Sequence, residues 1–327
     1  MTKPLASLSL DLDNKWSYLK THGDAGWESF PSYLAVVIPR VLTFLAERNL
    51  KITFFVVGQD AAIESNHAVL RSIAQAGHEI GNHSFHHEPW LHLYSPEEIA
   101  AELTRAEVAI EAASGRRPHG FRGPGFSFSP ALLAELARRG YEYDASTFPT
   151  FLGPLARLYY FFNAKLSREQ QADRKQLFGT FGEGFRPLRP YVWPDLARPL
   201  IEMPVTTMPI FKLPIHVSYL LYLGQFSTTF ASAYFRMALL LCRLTGVEPS
   251  ILLHPLDFLG CDDEQDLDFF PAMNLRASRK LAIVAGAIDQ LSARYQVVPM
   301  TEHAAAMRRE LTEATRVATQ PASSPAS

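Results

Sequence analysis

Residues 7–13 alternate, with Ser7, Ser9, Asp11 and Asp13 on one face and Leu8, Leu10 and Leu12 on the other. That period of two is the mark of a half-buried strand. Residues 51–57 (KITFFVV) read as a second strand, rich in β-formers. Further strands are predicted at 78–82, 120–122, 141–147, 200–205, 250–253 and 296–300. Helical patterns fall between them. Ser95-Pro96-Glu97-Glu98 is a capping box with proline at the first helical position, opening a helix to about residue 113. Ser129-Pro130 opens another, which Gly140 closes. Residues 39–49, 67–76 and 275–295 are further amphipathic helices. Strand and helix alternating at this spacing imply parallel βαβ units closing towards a barrel, where chemistry belongs at the C-terminal ends of the strands.

One stretch breaks this rhythm. Residues 148–249 are aromatic and apolar, with one convincing strand among them. Residues 213–235 contain no Asp, Glu, Lys or Arg, a run long enough to span a bilayer. His216, Gln225, Ser227, Thr228 and Thr229 make it a poor lipid span, so the expectation is a buried or interfacial insertion. The whole reads as one α/β domain over 1–318, with the insertion at about 148–249 and a disordered tail at 319–327.

Composition narrows the picture. A chain of 327 residues with 47% hydrophobic and 20% charged residues can bury a large core, which excludes intrinsic disorder. Lys and Arg number 31 against 33 Asp and Glu, so no global field draws nucleic acid, and no nucleic-acid partner is expected. Cys242 and Cys261 provide neither a disulfide framework nor thiolate zinc spacing. No apolar h-region lies between Met1 and Ala6, so the expected location is cytoplasmic.

The reactive residues gather after the strands. Asp11 and Asp13 close the first, roughly 7 Å apart at Cα, a separation that suits flanking one metal and its water. An isolated Asp-x-Asp is more often a loop cap. His83-Ser84-Phe85-His86-His87 follows the third strand, and either the i, i+4 or the i, i+3 histidine pair could reach one ion in a helical turn. Arg122-Gly123-Pro124-Gly125 follows the fourth strand and could clamp a carboxylate. His254 ends the 250–253 strand, with Asp257 nearby, as a candidate acid or base. Each signal is weak alone. Their convergence on one end of four strands is the informative feature.

At these residues the sequence resembles the polysaccharide deacetylase (NodB-homology) family, carbohydrate esterase family four. The usual first motif, Thr/Ser-Phe-Asp-Asp, here reads Ser9-Leu10-Asp11-Leu12-Asp13. The inserted residue is similar to the Asp-x-Asp branch with allantoinase-like, peptidoglycan-deacetylase-like and lipid-linked aminosugar deformylase members. His83-Ser84-Phe85-His86-His87 matches the His-Ser/Thr-x-x-His motif and selects His87 over His86. Arg122-Gly123-Pro124 and Leu252-Leu253-His254 match two more motifs. The resemblance implies a distorted, incomplete (β/α) barrel and hydrolysis of an N-acyl amide on an aminosugar of a polysaccharide, oligosaccharide or lipid-linked precursor. It implies a divalent metal, zinc by expectation, on Asp13, His83 and His87. Asp11 would be the base, tethered by Arg122, and His254 the acid. Asp257 and Glu202 are both candidates for orienting His254.

Two other functions share the pattern: hydrolysis of a small cyclic amide or ureide, and non-catalytic carbohydrate binding on the same fold. Two readings also stand for the insertion. Its aromatics at 148–162, with Lys165, Arg168, Arg174, Lys175, Arg186 and Arg189 close behind, could rest on an anionic inner leaflet and meet a lipid-linked substrate. Alternatively they pack a second small core over the barrel.

Overall fold

The computed structural model describes residues 3–153 and 181–319, the last nine of these by backbone only. The disordered tail expected at 319–327 lies outside the described residues except for Thr319, which is helical; most of the 148–162 aromatic stretch, with Lys165, Arg168, Arg174 and Lys175, also lies outside them.

Eleven strands are present among the described residues: β1 (Leu5–Asp11), β2 (Thr53–Val56), β3 (Glu79–Asn82), β4 (Gly120–Phe121), β5 (Tyr143–Asp144), β6 (Tyr191–Val192), β7 (Ile201–Glu202), β8 (Thr207–Met208), β9 (Leu213–Pro214), β10 (Ser250–Leu253) and β11 (Gln296–Val298). The main sheet runs β10-β1-β2-β3-β4-β5-β7-β6, with β11 beside β1 and β8-β9 separate. Every pairing in the main sheet is parallel except β6 with β7. Past β7 the chain nearly completes the circle. The Thr206 N–H donates to the Ser250 carbonyl at 2.9 Å, and the Ser250 N–H to Thr206 Oγ1 at 2.8 Å. This is the distorted, incomplete barrel that the resemblance implies.

The helices are α1 (Lys15–His22), α2 (Leu34–Ala46), α3 (Gly58–Ala61), α4 (His67–Gln75), α5 (Pro96–Ser114), α6 (Pro130–Arg139), α7 (Val217–Gly224), α8 (Thr228–Thr245), α9 (Ala277–Arg294) and α10 (Met300–Thr319). Ser95 and Glu98 form the capping box of α5, and Ser129 and Gly140 cap α6. Leu8 and Leu10 of β1 join one core with Leu34, Val37, Ile38 and Val41 of α2.

Several boundaries differ from the sequence pattern. The curled sheet pairs β4, β5 and β7 over only two residues each, where longer strands were expected. Helix α2 starts at Leu34 and carries Pro39 inside it. Its buried face begins at Leu34 and Val37, and that packing outweighs the one i→i−4 bond that Pro39 forgoes. Strand β11 stops at Val298, because Met300 opens α10. Met300 and Ala304 pack inside the barrel on Phe55, Tyr143 and Ile201. The Met300 N–H donates to Thr53 Oγ1 at the start of β2, so α10 closes the end opposite the strand C-termini. The uncharged 213–235 run is not one span: it divides into β9, α7 and the first turns of α8. No helix among the described residues is long and apolar enough to cross a membrane.

Candidate metal centre and its acid–base neighbours

Parallel register aligns the site. Leu10 pairs with Leu253, so His254 stands level with Asp11 on the neighbouring strand. The His83 N–H donates to the Val56 carbonyl and the Arg122 N–H to the Asn82 carbonyl, carrying both residues just past the same sheet end. β1 ends at Asp11 rather than Asp13. The cause is Asn14, fully buried, which caps α1. Its amide donates to Asp60 Oδ1 (2.6 Å) and Ser32 Oγ (2.9 Å), and its oxygen accepts from the Lys15 and Tyr33 N–H groups. All four hydrogen-bonding positions are filled. The chain is thereby pulled out of the sheet and Asp13 lies in the loop. Asp60 lies beneath, with Trp16 Nε1 also donating to its Oδ1; burial raises its pKa to about 7.

Asp13, His83 and His87 converge. One ligand atom from each lies within 4.8 Å of the others. His87 Nε2 is 3.0 Å and His83 Nε2 3.3 Å from Asp13 Oδ1. His83 Nδ1 lies 2.7 Å from the Arg122 carbonyl, which accepts its N–H and leaves the Nε2 lone pair facing Asp13. Burial alone would raise the Asp13 pKa, but the imidazoles, His87 foremost, hold it well below the ordinary carboxylate value.

The histidine loop is clamped from behind. Glu102 on α5, almost fully buried, accepts the Phe85 N–H (2.9 Å) and the His86 N–H (2.7 Å), and its other oxygen meets His86 Nδ1 at 2.6 Å. The N–H groups of Gly58 and Gln59 donate to the carbonyls of Ser84 and Phe85. A Cβ on Gly58 would stand 2.7 Å from the Phe85 ring and 2.8 Å from Ala106 Cα, so only glycine permits this approach. Ser84 and His87 are held at positive φ (62° and 55°), not in the helical turn that the spacing suggested. Of the histidines at 78, 83, 86, 87 and 92, only His83 and His87 therefore turn to Asp13. His86 faces Glu102, the Ile52 N–H donates to His78 Nδ1, and His92 pairs with Ser127.

Asp11 points elsewhere. Arg122, fully buried, donates through Nη1 to Asp11 Oδ1 (2.7 Å) and Ser9 Oγ (2.8 Å), and through Nε to the Ala145 carbonyl (3.0 Å). Its guanidinium carbon sits 4.4 Å from the Phe55 ring centroid. A Cβ on Gly123 would fall 1.9 Å from the Ser127 carbonyl oxygen, so the turn after Arg122 also requires glycine.

His254 has its own support. Its Nδ1 lies 3.0 Å from Ser218 Oγ, Ser218 donates to Asp257 Oδ1 (2.7 Å), and the His254 N–H donates to Asp257 Oδ2 (2.8 Å). Asp257 thus reaches the imidazole through Ser218, a residue of the apolar run that no sequence signal singled out. Glu202 does not take this place. It pairs with Asp144 across β5 and β7, and accepts from Thr147 and from Trp193 Nε1. Burial, then the Asp144 charge, raises its pKa well above the ordinary value.

The family model described as polysaccharide deacetylase matches residues 24–143. A Helicobacter pylori peptidoglycan deacetylase is 29% identical over 149 residues, 43% of this chain and 49% of that one. A Bacillus subtilis peptidoglycan-N-acetylmuramic acid deacetylase is 32% identical over 105 residues, 32% of this chain and 39% of that one. The chain thus spans half or less of the length of these curated relatives. A Mycobacterium smegmatis crystal structure carrying the polysaccharide deacetylase description superposes with a TM-score of 0.62 at 22% identity, covering 94% of this chain and 91% of that one. The barrel fold is thus shared over nearly its whole length, and the stretch bearing His83, His87 and Arg122 is the part of the chain that is similar to the polysaccharide deacetylase family model.

Proposed function

We propose that the chain hydrolyses the N-acyl amide, acetyl or formyl, of an aminosugar, with a divalent metal held by Asp13, His83 and His87. Two imidazoles and one carboxylate suit zinc and leave coordination positions open. The Arg122 carbonyl accepts the His83 Nδ1–H, which fixes the tautomer and leaves Nε2 free to hold such an ion. Bound there, the ion supplies polarisation of the acyl carbonyl and acidification of water.

The chain's own groups supply the proton transfers. Asp11 takes the proton of the attacking water. Arg122 fixes the carboxylate through Oδ1, which leaves Oδ2 to receive that proton. His254 gives a proton to the departing amine from Nε2, because Ser218 occupies Nδ1. The Ser218–Asp257 pair orients the ring, with Nδ1 turned to the Ser218 hydroxyl and that hydroxyl donating to Asp257. One observation carries the reading: a three-residue donor set within 4.8 Å, beside a buried Asp11–Arg122 pair, at the C-terminal mouth of this barrel.

The test is purified, zinc-loaded protein with N-acetyl and N-formyl aminosugars, free and lipid-linked, scored for released acetate or formate. Release that disappears in Asp11→Asn supports the proposal. No release from any member of the panel contradicts it.

A further inference from the structure

Helix α8 is apolar on two opposite sides. Ala231, Phe235, Ala238, Leu239 and Cys242 face the core. At about 100° per residue, Phe230, Met237, Leu240 and Leu244 form a second stripe about 80° wide on the far side. All four are exposed, Phe230 at 57% and Leu244 at 72%. Phe226, in the turn before the helix, continues the stripe at 74% exposure. An ordinary surface helix carries polar residues there. Apart from Val36, Leu93 and Val108, every exposed large hydrophobic side chain among the described residues lies between 181 and 244. The β8–β9 turn adds Ile210 and Phe211, both exposed, with Ile210 held at a φ of 73°.

Charge identifies the occupant. Between Glu202 and Glu248 the chain has no acidic residue, and its only charges are Lys212, Arg236 and Arg243. Arg236 and Arg243 lie along one edge of the exposed stripe, seven residues apart. A second copy docked symmetrically on this face would bring arginines against arginines, and α8 itself carries no carboxylate to meet them. An anionic lipid surface offers what both features need: acyl chains for the apolar stripe and phosphates for the arginine edge.

The stripe is also joined to the site. A chain of aromatic contacts runs from His254 to His216 (6.3 Å between ring centroids), to Tyr219 (6.2 Å), to Tyr222 (6.2 Å) and to Phe226 (5.6 Å). We propose that the outer face of α8, with Phe226 at its mouth end, rests on an anionic bilayer and sets the barrel mouth at the lipid surface.

Co-sedimentation of the full chain with vesicles of phosphatidylcholine, with or without phosphatidylglycerol, tests this independently of turnover. Expected is binding to phosphatidylglycerol vesicles that weakens with salt. It should fall on the order of tenfold or more in Phe226→Ser/Phe230→Ser and in Arg236→Ser/Arg243→Ser. All changed positions are exposed, and thermal melts confirm that the variants are folded. Absence of binding at low salt overturns the proposal, as does binding that neither double variant alters. A dimer in sedimentation velocity that Phe226→Ser/Phe230→Ser dissociates also overturns it, because the face would then belong to a second copy.

Discussion

The barrel mouth and the outer face of α8 break the same rule in opposite directions. The mouth buries charge: Asp11, Asp13, Arg122 and His83 are all under a tenth exposed. The helix exposes oil. At the mouth much of the departure is compensated by pairing, since Arg122 by itself has acceptors in Asp11, Ser9 and Ala145. At α8, Phe226 just before the helix has the ring of Tyr222 beside it yet stays 74% exposed, and Leu244 stays 72% exposed. Buried charge without partners costs several kcal/mol, whereas an exposed apolar residue costs little in the monomer. The mouth is therefore held largely by pairing within the chain, while the helix face is left uncovered among the described residues.

Changes that cut the pairing at the mouth should be the most damaging. Arg122→Ala strands the Asp11 carboxylate in a site with almost no water contact. We expect a loss of about 3–5 kcal/mol in denaturant unfolding, and loss of hydrolysis with it. A variant as stable as the parent would mean the mouth is not held by pairing. Asp11→Asn keeps the shape and an acceptor for Arg122. It should keep fold and metal while turnover falls about a hundredfold or more; metal loss in this variant would exchange the roles of Asp11 and Asp13. Glu102→Ala touches no ligand but frees two loop N–H groups. Zinc affinity should weaken about 10–100-fold in competition with a chelator, and unchanged affinity would show that the loop needs no clamp. The smallest effect belongs to the other region. Phe230→Ser should change stability by less than about 0.5 kcal/mol, and a larger loss would show that this ring packs within the monomer.

The two regions also differed in how far the sequence could be read. At the mouth, β10 falls on residues 250–253 as expected, because a short apolar run between Pro249 and the His254-Pro255 pair leaves one way to form a strand. The capping residues of α5 and α6 were legible for the same reason: caps are local chemistry. Which histidines turn towards Asp13 was less legible. Positive φ at Ser84 and His87, the Glu102 clamp and the close approach at Gly58 all depend on contacts distant in sequence. Asn14, adjacent to Asp13, decides where β1 ends, yet its partners Ser32 and Asp60 lie 18 and 46 residues away.

The helices α7 and α8 resisted reading for another reason. Periodicity reveals a helix by contrasting an apolar face with a polar one. With Phe235, Leu239 and Cys242 on one side and Phe230, Met237 and Leu244 on the other, that contrast is erased. Ser218 was invisible for the same cause, since an isolated serine in an apolar run carries no signal until the fold sets it between His254 and Asp257.

The central claim is that Asp13, His83 and His87 hold one divalent ion, and metal content by elemental analysis tests it most directly. Protein purified with zinc and dialysed should carry about one equivalent, one ion per site. His83→Ala and His87→Ala should each carry far less, and His86→Ala, whose ring faces Glu102, should stay close to the parent. Full retention in both His83→Ala and His87→Ala, or loss in His86→Ala alone, would contradict the account.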